Sequence, residues 1–65
     1  MFLIINGERT ECRATRLQAL IHELGHDGAH LAVAVNDEVV TRARWDETML
    51  ADGDAIEIIT PRQGG

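Results

Sequence analysis

The segment Pro61-Arg62-Gln63-Gly64-Gly65 is the part of this sequence best suited to chemistry. Its five residues, extended at about 3.3 Å each, reach about 16 Å beyond the last predicted strand. Because Gly64 and Gly65 carry no side chains, the tip fits a narrow channel in another protein. A terminal carboxylate has a pKa of about 3.3–3.7, so it is ionised at pH 7 and is a poor acyl donor. We therefore expect Gly65 to be activated by nucleotidyl transfer, with Gly64 giving access.

The sequence offers no nucleotide site for that activation. It lacks a Gly-rich phosphate-binding loop, so ATP would have to be bound by a partner protein. At 65 residues the chain is less than half of a domain of about 150 residues, which leaves no room for a nucleotide-binding unit. A Gly-Gly ending alone is a weak signal, since chain ends are often disordered. The spacing of these residues therefore leaves open the alternative that the terminus has no function.

Three histidines recur at every fourth position, as metal ligands on one face of a helix would. They are His22, His26 and His30. Gly25 and Gly28 interrupt that helix, so the register fails. We expect solvated surface histidines and no metal site.

Cys12, Trp45 and the Asp52-Gly53-Asp54 segment also have structural interpretations. No basic group is evidently poised to lower the pKa of Cys12, which favours a packing residue over a nucleophile. Trp45 is expected to pack over the edge of the core; the alternative is that it anchors a partner protein. The Asp52-Gly53-Asp54 segment is too short for a calcium loop and indicates a turn. With no triad or paired carboxylates in evidence, we expect no catalytic residue and no enzyme activity.

Charge and composition narrow the class of protein. Eleven acidic residues against six basic ones, all Arg, give a net charge of −5, which argues against nucleic-acid binding. The content of 45% apolar residues favours a packed core over disorder. The apolar run at residues 1–5 is too short for a signal peptide or a membrane span. A lone Cys fits a reducing compartment, so we predict a soluble cytoplasmic protein without membrane partners.

One short helix is predicted between two groups of strands. Leu17, Leu20, Ile21 and Leu24 form an apolar stripe at helical spacing, and Gly25 is placed to end the helix. Thr15 and Gln18 are spaced as a capping box at its start. The strands before and after the helix are predicted at residues 2–6, 8–12, 31–35, 39–40 and 55–60.

A hairpin, a crossover helix and further strands predict an α+β fold in two layers. The Asn6-Gly7 pair suits the turn of the first hairpin, because both positions of that turn need φ > 0. We expect one folded domain over residues 1–60 and a flexible tail over residues 61–65.

The combined pattern resembles the ThiS family, the sulfur carriers of thiamin (thiazole) biosynthesis, which have a ubiquitin-like β-grasp fold. The resemblance covers essentially the whole chain. It is carried by the apolar opening, Asn6-Gly7, the short helix, Ala34-Val35-Asn36, Val39-Val40, Arg42 followed by Trp45, Asp52-Gly53-Asp54, the Ile-rich last strand and Gly64-Gly65.

The resemblance implies a mixed sheet of about five strands packed on one short helix, and a specific chemistry. Gly65 would be adenylated by a ThiF-type adenylyltransferase that uses ATP and magnesium. A sulfur donor, such as a cysteine desulfurase, would then convert it to a thiocarboxylate for a ThiG-type thiazole synthase. We expect Trp45, Arg62, Gln63 and the exposed sheet face to contact these partners.

Three alternatives remain at this point. The chain could carry sulfur for another pathway, such as molybdopterin synthesis. It could be a ubiquitin-like protein modifier joined through Gly65 to lysines of its targets. The chain contains no Lys, so it could not build polymers of itself in that role. Finally, it could be a non-covalent binding module with an idle tail.

Overall fold

The computed structural model describes residues 1–26 and 30–60. Within these ranges the chain forms five strands, one α-helix and one 3₁₀ helix. The predicted tail at 61–65 lies outside the described residues. The strands are β1 (Phe2–Ile5), β2 (Glu8–Glu11), β3 (Ala32–Val35), β4 (Glu38–Val40) and β5 (Ala55–Ile59); the α-helix is α1 (Leu17–Glu23), and the 3₁₀ helix is Arg42–Glu47.

The five strands form one mixed sheet in the order β2-β1-β5-β3-β4. The central strand β5 runs parallel to β1 and antiparallel to β3. Antiparallel hairpins make up the two sides. Both hairpin turns have positive φ at their two central residues, Asn6 and Gly7 in the first and Asn36 and Asp37 in the second. The β-branched and aliphatic strand residues suit this pleated surface, and the predicted α+β arrangement is confirmed.

Helix α1 covers one face of the sheet. Leu17, Leu20 and Ile21 are buried, as the apolar stripe predicts, and they belong to one core with buried strand side chains such as Leu3 and Ile56. A backbone motif ends the helix: Gly25 N–H donates to the His22 carbonyl, and His26 N–H donates to the Ile21 carbonyl, each at 3.0 Å. The positive φ of Gly25 permits this ending, which confirms the predicted C-cap.

The predicted capping box at the start of α1 is wrong. The N-cap is Arg16, one residue later than predicted, and it makes no side-chain capping hydrogen bond. A segment distant in sequence provides the hydrogen-bond acceptor instead, because Leu17 N–H donates to the Thr48 carbonyl at 2.9 Å. Arg16 also forms an isolated antiparallel bridge with Met49. A tertiary backbone contact therefore replaces the local side-chain cap.

Trp45 is part of the core, which confirms the favoured interpretation of it as a core cover; the buried ring is not exposed for the alternative role in docking. Its side chain is 1% exposed. The indole Nε1–H donates to the Val40 carbonyl at 3.0 Å, which satisfies its polar atom inside the fold. The surrounding segment forms the 3₁₀ helix that directs this ring inward. No helix within the described ranges is long and apolar enough to cross a bilayer.

Candidate functional site

Strand β5 leads directly toward the predicted reactive tail and is held in the centre of the sheet. On one side Ile58 pairs with Val33 and Ile59 pairs with Ala32. The side chains alternate, with Ile56 and Ile58 buried and Ile59 exposed. A central strand with buried side chains belongs to the stable part of a small domain. The residue that precedes the tail, Thr60, is thereby connected to a rigid base.

The Asn6 carboxamide continues the parallel ladder after β1 has ended. Asn6 N–H donates to the Ile56 carbonyl at 2.9 Å. Its Oδ1 then accepts from Ile58 N–H at 2.9 Å, and its Nδ2 donates to the Ile58 carbonyl at 3.2 Å. A side-chain amide has the same donor and acceptor as a peptide group. The Asn6 side chain therefore takes the place that one more residue of β1 would have beside Ile58.

Asn36, in the equivalent turn of the second hairpin, binds the opposite end of β5. Its Oδ1 accepts from Ala55 N–H at 2.9 Å, and its main-chain N–H donates to the Ala55 carbonyl at 2.7 Å. Its Nδ2 donates to Asp54 Oδ1 at 3.1 Å. Neither amide contact was predicted from the sequence. The signal available was an Asn at the first positive-φ position of each hairpin turn.

The face of the sheet opposite α1 is uncovered and partly apolar. Val39 is 75% exposed and Ile59 62% exposed. The register places Val39 beside Ala34, and Ile59 beside Ala32, so small apolar side chains lie between them. Glu57 pairs with Ala34 and places a carboxylate on the same face. We call these five positions the open face; Ile59 connects it to the base of the tail.

The Asp52-Gly53-Asp54 segment is a turn, as predicted, and joins β1 to the start of β5. Asp52 Oδ1 accepts from Phe2 N–H at 2.9 Å, and Gly53 N–H donates to the Phe2 carbonyl at 2.9 Å. Asp54 Oδ2 accepts from Ala51 N–H at 2.9 Å, which closes the turn. Both carboxylates thus accept backbone hydrogen bonds, as turn residues commonly do.

Cys12 is a packing residue, as predicted. The residue is 6% exposed and belongs to the hydrophobic core. Burial, with a smaller effect from the nearby Glu23 carboxylate, raises the pKa of the Cys12 thiol. Glu23 itself accepts hydrogen bonds from Arg13 and Ala14 N–H, which hold it at this position. A thiol with a raised pKa has less thiolate at neutral pH and is a weaker nucleophile.

We therefore expect Cys12 in the folded chain to react with iodoacetamide at pH 7.5 at least about tenfold more slowly than in the same chain unfolded in urea. Alkylation followed by intact mass gives both rates, and the denatured sample is the control for reagent activity. Equal rates in a sample shown to be folded would contradict the burial of this thiol.

The histidines do not converge in the described part of the chain. His22 and His30 are exposed and His26 is half-buried, while Gly28 lies outside the described residues. Within residues 1–26 and 30–60, no group of three or more His, Cys, Asp or Glu side chains is placed to hold a metal ion.

The remaining predicted site residues lie outside the described residues: Arg62, Gln63, Gly64 and Gly65. The structure brings together the features that precede them, namely the central strand β5, the Asn6 amide and the open face beside Ile59. The end of β5 at Ile59 therefore lies on the open face, a surface that a partner can contact.

The chain matches the model of the ThiS family over residues 3–65. It is 29% identical over the full length of both chains to the sulfur carrier protein ThiS of Escherichia coli. It is 30% identical to the sulfur carrier protein ThiS of Thermus thermophilus, with 94% of this chain and 95% of that protein aligned.

A larger protein and a solved structure are also similar. A thiazole synthase of Paramagnetospirillum magneticum is 38% identical over 66 residues, which include all of this chain but only 20% of that protein. The crystal structure of the thiamine biosynthesis protein ThiS from Geobacter metallireducens superposes with a TM-score of 0.84 at 30% identity, with both chains fully covered.

Proposed function

Because the chain belongs to the ThiS family, we propose that its Gly65 carboxylate is the group that is activated and loaded with sulfur. The protein is a sulfur carrier of thiamin biosynthesis, with a β-grasp fold. The observation that carries the proposal for Gly65 is the extent of the family match. That match runs through residues 3–65 and so includes the Gly64-Gly65 pair together with the folded body.

Activation converts a poor acyl donor into a reactive one. A Gly65 carboxylate oxygen attacks the α-phosphorus of ATP, and pyrophosphate leaves, which gives a mixed anhydride with AMP. Hydrosulfide supplies the sulfur that then replaces AMP at the carbonyl carbon. With hydrosulfide, the new C–S bond forms as AMP departs with the carboxylate oxygen. The product is a thiocarboxylate, whose sulfur is a good nucleophile.

In this proposal the chain contributes a substrate group and a recognition surface, and its partners contribute the catalysis. A ThiF-type adenylyltransferase binds ATP and magnesium, and a cysteine desulfurase or another source supplies sulfur. We place these steps in the cytoplasm, where ATP is available. The folded domain, residues 1–60, acts as the handle by which each enzyme positions the tail, residues 61–65.

The open face is the surface we propose for docking of the adenylyltransferase. Its exposed apolar members, Val39 and Ile59, can be desolvated by a partner, and Ile59 lies two residues before Pro61. Contact there would bring the tail to the partner's active site, with Arg62 and Gln63 as further predicted contacts. The net charge of −5 favours association with a basic surface.

Thiazole synthase is the proposed sulfur acceptor. A sequence similar to this entire chain forms about a fifth of the thiazole synthase of Paramagnetospirillum magneticum. A carrier joined covalently to the enzyme that uses its sulfur would act at high effective concentration. We propose that this chain, as a separate molecule, delivers sulfur to an enzyme of the same class.

Intact mass spectrometry tests the proposal. The intact mass of the chain is first shown to match a polypeptide that ends at Gly65. The chain is then incubated with a cognate adenylyltransferase, ATP, magnesium and sulfide. We expect its mass to increase by the difference between one sulfur and one oxygen atom, and to stay unchanged when ATP is omitted. An unchanged mass with an enzyme shown to be active on another carrier would contradict sulfur carriage. Covalent attachment to lysines of other proteins would support the modifier alternative.

A further inference from the structure

We propose that Asn6 is a positioning residue for sulfur loading, because its carboxamide holds the end of β5 from which the chain continues to Gly65. This inference rests on the proposed function and adds a residue far from the tail in sequence. The contact that carries it is the pair of hydrogen bonds between the Asn6 amide and the backbone of Ile58.

Without the Asn6 amide, the end of β5 would have a neighbour on one side only. The main-chain pairing of β1 with β5 stops at Ile5 and Ile56. Beyond that point β3 still pairs with β5, and Ile58 lies opposite Val33. The Asn6 amide supplies the missing partner on the β1 side by bonding the N–H and the C=O of Ile58, while β3 pairs with the other edge of the strand. A strand bonded at both edges resists rotation about its neighbour.

The type of residue at position 6 fits this double requirement. Asn6 has φ of 50°, a conformation that Asn tolerates better than most residues. Its side chain also provides one donor and one acceptor at the correct separation for a peptide group. Glycine would satisfy the backbone but would leave the N–H and C=O of Ile58 without this partner. Aspartate would accept from the N–H but could not donate to the carbonyl.

The end of β5 that Asn6 holds is the point from which the tail starts, since Ile58 lies only three residues before Pro61. Five residues reach at most about 16 Å, so the position of this point limits where the Gly65 carboxylate can be placed. Nucleotidyl transfer requires near-attack geometry, and a misplacement of about 1 Å can reduce a rate by on the order of 100-fold. The position of the end of β5 is therefore relevant to turnover.

The test compares Asn6→Gly with Asn36→Gly, its matched control. Both substitutions place glycine at a turn position with φ of 50°, and both remove a side-chain amide that binds β5. They differ in position, because Asn36 contacts Ala55 at the start of the strand. Kinetics of thiocarboxylate formation are measured with the cognate adenylyltransferase, at a temperature where unfolding curves show both variants folded.

We expect Asn6→Gly to lower kcat on the order of tenfold while KM changes by no more than about twofold, because the surface that docks is unchanged. Asn36→Gly should stay within about twofold of the unsubstituted chain in both constants. Equal losses in the two variants, or normal kcat in Asn6→Gly, would overturn the positioning role.

Hydrogen exchange at the Ile58 amide separates this inference from the proposed function. We expect exchange at Ile58 to accelerate in Asn6→Gly more than exchange at Val33, and to be unchanged in Asn36→Gly. Unchanged protection at Ile58 would overturn the inference even if the carrier is loaded normally. If the unsubstituted chain is never loaded by an active enzyme, the proposed function fails, and the role of Asn6 in loading is overturned with it.

Discussion

Deleting Gly64 and Gly65 is expected to abolish sulfur loading while the free energy of unfolding changes by less than about 0.5 kcal/mol. The acyl group that reacts would be lost, and the new terminal residue, Gln63, carries a side chain that a narrow channel excludes. The folded body keeps its stability because, among the residues that the structure describes, every buried core side chain lies between Leu3 and Ile58. Intact mass after the loading reaction and urea unfolding of the same preparation measure the two quantities.

A second variant separates the position of the carboxylate from the presence of the glycines. One alanine added after Gly65 retains the whole tail but moves the acid by one residue and adds a methyl group. We expect it to be as inactive as the deletion and as stable as the unsubstituted chain. Normal loading of either variant would contradict Gly65 as the acyl carrier, and unfolding of the deletion variant would show that the tail is structural.

Leu20→Ala is expected to reduce the free energy of unfolding by about 2–5 kcal/mol, because it removes a fully buried side chain and leaves a cavity. A domain of 65 residues has a stability on the order of 3–10 kcal/mol, so a large part of the population would unfold at 37 °C. Urea unfolding followed by circular dichroism gives the difference.

Gln18→Ala is the matched control, since Gln18 is exposed on the same helix. Alanine has a slightly higher helix propensity, so we expect a change within about 0.5 kcal/mol. If Leu20→Ala is as stable as this control, the assignment of α1 to the core is wrong. If both variants lose several kcal/mol, the loss reflects the helix as a whole and not the burial of Leu20.

The main elements were predictable because each has a local pattern in the sequence. The spacing of Leu17, Leu20 and Ile21 matches the 3.6-residue period of a helix, and these are the side chains that α1 buries. Gly25 ends the helix by a conformation that glycine adopts at little cost. The Asn6-Gly7 pair similarly specifies a tight turn between two strands. Such preferences act over a few residues and can be recognised without the rest of the fold.

Other features depend on residues that are distant in sequence, and local patterns did not reveal them. Thr15 looked like a helix cap, yet the backbone of Thr48 provides the contact at the start of α1. Trp45 had two interpretations, a core cover and a docking anchor, and the 3₁₀ helix that turns its ring into the core decides between them.

For the functional site, the sequence by itself predicted the reactive group, the carboxylate of a glycine-tipped tail, and the resemblance to a family of sulfur carriers gave it a chemistry. Only the tertiary structure decided which residues hold the strand that presents it. Asn6 and Ile58 are 52 positions apart, and a side-chain amide has no preferred distant partner until strands are brought together. The reason is physical: reactivity depends on the chemical group itself, whereas the strand that leads to it is held by hydrogen bonds that exist only in the assembled sheet.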